Sequence, residues 1–240
     1  MPQDPEPPPE PDERPRRISS SMLAPAPPQE RRIEFERGMS YLPALSLLLI
    51  VAYVAVLAWE LSVGALESRE SIVAAGALYR PPVRDGELWR LVTATFLHGS
   101  PGHLIGNCVG LYIMGLACEH AFGFARSGVI YLLSGLGGSV LSVLAQPGPS
   151  VGASGVVFGV MGAVIVFLYR HQDAFYVRDK RIAVVLLAWA GFAVLTGLAT
   201  PLVDNFAHIG GFLGGALGAH GVEPALLQRA GQGRGGATGA

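Results

Sequence analysis

The chain has 240 residues, of which 50% are hydrophobic and only 15% charged, against roughly 25% charged in an ordinary soluble domain. Its mean hydropathy is +0.42 and its net charge −1. These values exclude the basic footprint of a nucleic-acid partner and make lipid, not water, the expected main solvent.

Residues 1–38 are rich in Pro, Glu, Arg and Ser. They hold too little apolar surface to offset the entropy of ordering, and they read as a disordered cytoplasmic tail. Six apolar segments follow within residues 39–222: Pro43–Leu66, His103–Cys118, Gly128–Ala145, Val151–Tyr169, Ile182–Leu202 and Asn205–His220. A spanning helix needs ~20 apolar residues. The second and sixth segments are marginal, but unpaired backbone in lipid is costly enough to favour helix there. Residues 223–240, Gly-rich from Gln228 onward, read as a second flexible cytoplasmic tail. Cys108 and Cys118 lie ten residues apart in one segment. That spacing puts them on different helix faces, so a disulfide is not expected.

The loops set an orientation. Arg31, Arg32 and Arg37 precede the first span, and Arg126 separates the second and third. Arg170, Arg178, Lys180 and Arg181 separate the fourth and fifth, and Arg229 and Arg234 follow the sixth. With six spans these all fall on one side, which the positive-inside rule makes cytoplasmic. The long loop after the first span is the exception. It mixes Arg69, Arg80, Arg84 and Arg90 with Glu67, Glu70, Asp85 and Glu87. Its Leu88-Trp89-Arg90-Leu91-Val92 stretch suits the outer interface.

Two polar residues sit where lipid should not tolerate them. Ser154, in Gly152-Ala153-Ser154-Gly155, opens the fourth span, and His208 lies near the start of the sixth. Both spans run the same way, so both residues lie at the same shallow depth. His208, Gly211 and Gly215 share a helix face, and Gly155 and Gly159 offer span four a matching small-xxx-small surface. A histidine that can reach a serine can take its proton as it attacks a carbonyl. The oxyanion so formed needs fixed donors, for which His98, His103 and Asn107 are candidates. His103 and Asn107 are four residues apart and share a face. Read singly, Ser154 is a cap or packing residue, Asn107 interhelical glue, and His208 a packing or ion-path residue. Neither a His-Glu-x-x-His motif nor an acidic ligand accompanies His98 and His103, so no metal is expected. Glu60 and Glu119 lie near span ends, where they are expected to reach the interface.

Taken together, Trp89-Arg90, His98 with His103 and Asn107, Glu119, Gly152-Ala153-Ser154-Gly155 and Ala207-His208-x-x-Gly211-x-x-x-Gly215 resemble the rhomboid family of intramembrane serine proteases. The resemblance spans roughly Glu87 to Gly218. It implies an all-α membrane protein with a six-transmembrane-helix rhomboid-type bundle. It implies Ser154 as nucleophile, His208 as general base, and an oxyanion hole from the Ser154 N–H with the His103 and Asn107 side chains. Phe158 falls where the family has an aromatic stacked on the catalytic histidine, and Trp89-Arg90 would be structural. The implied partners are transmembrane protein substrates, cut near their outer ends, and membrane lipid, with no cofactor. The expected location is the plasma membrane of a prokaryote, with multiple spans. Asp204, one turn before His208, is expected to serve as a helix N-terminal residue and not as a third catalytic member. The alternatives are a polytopic transporter or channel, with His208, Asn107 and His103 lining a path, or a non-catalytic binder of transmembrane helices.

Overall fold

The computed structural model describes residues 32–200 and 203–235. Six long helices carry the structure: α1 (Ala44–Ser62), α5 (Pro101–Phe122), α6 (Phe124–Ala145), α7 (Ser154–Arg170), α8 (Val177–Leu198) and α9 (Asn205–Gly221). Three short helices, α2 (Arg69–Ala74), α3 (Arg80–Arg84) and α4 (Arg90–Thr93), fill the connection between α1 and α5. A last helix, α10, covers Ala225–Gly235. Two isolated β-bridges occur, but no strand forms among the described residues.

Helices α1, α5, α6 and α8, of 19 to 22 residues, are long and apolar enough to cross a membrane, and α7 is a shorter apolar helix of 17. The protein is an integral membrane protein. Local chemistry fixes the helix ends. The Ser100 hydroxyl caps α5 by accepting from the His103 N–H at 3.2 Å, with Pro101 in the first turn, where a missing N–H costs nothing. Gly123, at φ +79°, is the single residue between α5 and α6, a conformation that side-chain-bearing residues rarely adopt.

Side-chain contacts show how the helices run. Glu119, near the end of α5, accepts from the Leu45 N–H at 3.0 Å, the Ser46 N–H at 2.9 Å and the Ser46 hydroxyl at 2.6 Å. It therefore satisfies orphan donors at the start of α1, and α1 and α5 are antiparallel. Ser142, late in α6, donates to Asp204 at the head of α9. Arg170 at the end of α7 donates to the carbonyl of His220 at the end of α9, at 3.2 Å. Helix α9 thus runs parallel to α7 and antiparallel to α6.

Helix α9 lies between α6 and α7 with backbone against backbone. A Cβ on Gly215 would fall on the Gly159 backbone, and one on Gly211 on the Gly155 carbonyl. The other face of α9 is just as close. A Cβ on Gly137 of α6 would lie 2.6 Å from the Gly210 carbonyl oxygen, and one on Gly138 would lie 2.8 Å from that of Ala207. The expected small-residue contact between spans four and six is present, and α6 makes a second one.

The long connection is built around Arg90, which is buried. Its guanidinium donates to the carbonyls of Val73 and Ala77 at 2.6 and 2.9 Å, and pairs with Glu87 at 2.6 Å. Leu88, Trp89 and Val92 face outward, as an interfacial segment requires.

Three expectations need correction. First, residues 1–31 lie outside the described residues, but 32–38 are held to the bundle and are not tail. Phe35 is buried among Phe167, Phe175 and His120, and the Ile33 N–H donates to the Ala174 carbonyl at 2.7 Å. The Phe35 N–H also donates to the buried Asp179 carboxylate at 3.3 Å. Second, within the expected flexible tail 223–240, Ala225–Gly235 is helical as α10, with Leu226 buried and Arg229 donating to the His120 carbonyl at 2.6 Å, and 236–240 lie outside the described residues. Third, Glu60 does not reach the interface but is fully buried.

Candidate active site

Each half of the site begins with a turn that only certain residues allow. The strand-like segment before α7 is fastened by the Gly152 N–H donating to the Ala94 carbonyl at 2.9 Å. Gly152 has φ +124°. A Cβ there would lie 2.8 Å from His103 Nε2 and 3.4 Å from Asn107 Nδ2. Glycine is therefore required twice, by the backbone and by the space. The same fact shows that the His103 and Asn107 side chains converge beside the backbone that leads into Ser154. Asn107 Nδ2 is buried with no hydrogen-bond partner. A buried donor with nothing to donate to is rare and asks for an explanation.

Ser154 is the first residue of α7, half-buried, with Phe158 one turn along. His208 is the fourth residue of α9. Its ring lies flat on Phe158, with centroids 4.1 Å apart and planes 5° from parallel. Trp189 of α8 also stacks with Phe158, at 6.0 Å between centroids. The Gly155–Ala207 contact, 3.1 Å from a notional Cβ to the carbonyl oxygen, makes the chain after Ser154 and the chain before His208 immediate neighbours. No hydrogen bond joins Ser154 to His208 among those of the described residues. His208 Nδ1 is buried and unpartnered. Catalytic hydrogen bonds in an unliganded site are often long and tighten only with substrate.

Both carboxylate oxygens of Asp204 have partners other than His208. One carboxylate oxygen accepts from the Ala207 N–H at 3.0 Å, capping α9, and the other accepts from the Ser142 hydroxyl. Neither oxygen is bonded to His208. A small hydroxyl-bearing recess of about 20 Å³, lined by Ser139, Ser142, Ser150, Gly152 and Gly155 among others, adjoins the Gly152–Ser154 turn.

His98 precedes α5 and is fully buried. Burial pushes its imidazole down to about 4, against the opposing effect of the Phe96 carbonyl, so the ring is neutral near pH 7. Its Nδ1 lies 3.0 Å from that carbonyl, which favours the tautomer with the proton on Nδ1. The His98 ring meets His103 edge-on at 5.4 Å. Among the described residues no group of His, Cys, Asp and Glu is arranged to hold a metal ion. Both cysteines are free.

The structure therefore brings together Gly152, Ser154, Phe158, His103, Asn107, His208, Gly211 and Gly215. His98 stands one contact behind His103, and Trp89 and Arg90 belong to the connection that carries Ala94. The sequence points to Glu60 but not to its partner: the carboxylate accepts from the His98 N–H. The available signal was a lone acid inside an apolar helix, which is costly enough to imply a buried partner.

The site is thus a helical membrane bundle in which a serine, a histidine stacked on an aromatic ring and an unpartnered buried amide donor lie on neighbouring elements. Comparison with known proteins agrees. The model of the Rhomboid domain matches residues 85–222, and the chain belongs to the rhomboid family. It is 45% identical over 145 residues to RHOMBOID-like protein 6, mitochondrial, of Arabidopsis thaliana, covering 58% of this chain and 46% of that one. It is 36% identical over 157 residues to Rhomboid protease GluP of Bacillus subtilis (strain 168), covering 65% and 30%. It is 30% identical over 199 residues to Rhomboid protease AarA of Providencia stuartii, covering 72% and 70%. The chain spans less than half the length of the plant relatives it matches.

Proposed function

We propose that the protein is an intramembrane serine endopeptidase that hydrolyses peptide bonds near the outer ends of transmembrane helices, by a Ser154–His208 dyad. The observation that carries this reading is the unpartnered Asn107 Nδ2 beside His103 Nε2 at the Gly152 turn. Donors fixed in place before the substrate arrives are what a developing oxyanion needs.

In this mechanism Ser154 Oγ attacks the scissile carbonyl carbon while His208 takes the hydroxyl proton. The carbonyl oxygen becomes an oxyanion held by the Ser154 N–H, His103 and Asn107. When the C–N bond breaks, His208 returns the proton to the leaving amine. Water, for which the adjoining serine-lined recess offers polar partners, then hydrolyses the acyl-enzyme with His208 again as base. Phe158 holds the imidazole plane by stacking. The substrate strand must leave its helix first, because a helical backbone hides the carbonyl. Helix-destabilising residues near the cleavage site favour cutting.

The distribution of arginine and lysine supports an orientation with both termini cytoplasmic and the site near the outer face. The matches to GluP and AarA support a prokaryotic plasma membrane, although the family also has plant members. The experiment is cleavage of a model single-span substrate in proteoliposomes, read on a gel, with labelling of Ser154 by a serine-directed phosphonate. An unlabelled protein that cuts nothing overturns the reading.

Two variants test the parts. Asn107→Ala removes one oxyanion donor and is expected to lower kcat by about 10²- to 10³-fold with little change in KM. Steady-state kinetics in detergent checks this. Asp204→Asn keeps the cap acceptor, and turnover is expected to stay within about tenfold of wild type. A true triad acid would cost about 10⁴-fold, so a loss near a thousandfold with folding intact refutes the dyad.

A further inference from the structure

Glu60 is the one charged residue of α1, it is completely buried, and the mechanism above gives it no task. A carboxyl group inside a membrane helix is expensive and is retained for a reason. Both of its oxygens lie 3.0 Å from the His98 backbone N–H. Tyr53, two turns earlier on the same face of α1, sets its ring 5.3 Å from Phe96 and 5.4 Å from His98. Helix α1 therefore grips the Phe96–His98 turn at two points. The turn is further closed by His98 Nδ1 against the Phe96 carbonyl. From there the contacts run on without a gap. The His98 ring meets the His103 ring, and His103 Nε2 borders the Gly152 turn that leads into Ser154.

We infer that Glu60 is a positioning residue: by accepting from the His98 amide, it holds the turn that sets where His103 stands against Gly152 and Ser154. This rests on the hydrolytic reading above. A hydrocarbon in place of Glu60 leaves the buried His98 N–H without a partner and frees the turn to shift. Displacements of the order of 1 Å in a positioning element can cost about a hundredfold in rate. The required property is the acceptor at the correct reach, so glutamine at this position preserves the function and aspartate, one methylene shorter, preserves it only in part.

The test uses the full chain in detergent, with active sites titrated by a serine-directed phosphonate. The readouts are kcat per titrated site, KM, and the affinity of a peptide aldehyde that forms a tetrahedral adduct. Glu60→Leu is expected to lower kcat by about ten- to a hundredfold, leave KM within about twofold, and weaken the aldehyde in proportion to kcat. Glu60→Gln recovers most of that loss, and Glu60→Asp gives an intermediate loss. If Glu60→Leu does not fold, Glu60→Asp against Glu60→Gln decides the matter. A purely structural role predicts lower melting temperatures or fewer titratable sites with kcat per site unchanged, and that result overturns the proposal. Absence of phosphonate labelling of the wild-type protein at Ser154 removes the hydrolytic reading and this proposal together. Labelling with unchanged kcat in Glu60→Asp and Glu60→Leu removes the role of Glu60 alone.

Discussion

Ser154→Ala is expected to reduce cleavage of a transmembrane substrate by roughly 10⁴- to 10⁶-fold, the range seen when one member of a cooperating nucleophile–base pair is lost. The protein should otherwise be intact. Ser154 is the first residue of α7, and its side chain caps nothing in the described structure. Folding is set by the glycine contacts below it, so the melting temperature in mild detergent should move little. That pairing of a large kinetic effect with a small thermal one separates an enzyme from the other readings. A transporter would keep its flux and a helix-binding protein its affinity, because removing one hydroxyl at a helix start alters neither a path nor a surface. His208→Ala should be as inactive as Ser154→Ala, and the double variant no worse than either single one, since both act in the same proton transfer. Cleavage by Ser154→Ala at more than about a tenth of the wild-type rate would place the nucleophile elsewhere.

Gly215→Ala is the second variant with a large expected effect, and it acts on stability. The added methyl would fall on the Gly159 backbone. Backbone cannot rotate away as a side chain can, so α9 and α7 must separate. Overpacking of this kind costs about 3 kcal/mol, and the lost contact between helices in lipid adds to it. The measurement is thermal or denaturant unfolding in detergent micelles. Gly191→Ala in α8 is the control, because nothing lies within 4 Å of the methyl it adds. It should be neutral or slightly stabilising, since alanine favours helix over glycine. If both variants melt alike, the backbone-to-backbone contact is not what holds α9.

Much of this site can be read in the sequence because its components are local. The spacing of His208, Gly211 and Gly215 fixes a face. The four-residue interval from His103 to Asn107 fixes another, and Asp204 four residues before His208 is where a cap must fall. The six apolar segments are legible because lipid demands long uninterrupted runs. What escaped has a different character. Glu60 and His98 are 38 residues apart, and no spacing rule joins an acid in one helix to a backbone amide in a distant turn. The second glycine contact of α9, against Gly137 and Gly138, uses the same residue type as the first, so the pattern shows that close faces exist without showing which helix each one meets. Composition averages over a window, and over 32–38 that average is polar enough to read as tail. Docking there depends on Phe35 as an individual residue. In α10 the glycines suggested flexibility, while burial of Leu226 and the reach of Arg229 to His120 hold the helix in place.

The position of α9 between α6 and α7 also bears on biosynthesis. Chain order puts α9 last among the long helices. During translation α6 and α7 therefore enter the bilayer with their glycine faces unfilled, and Ser154 is present before His208, the base proposed for it, has been made. Filling the slot completes the packing and delivers His208 in a single event. Under the proposed dyad, a nascent or stalled chain lacking α9 holds the nucleophile without its base and cannot cut its neighbours in the translocation machinery, so activity begins only when α9 is in place.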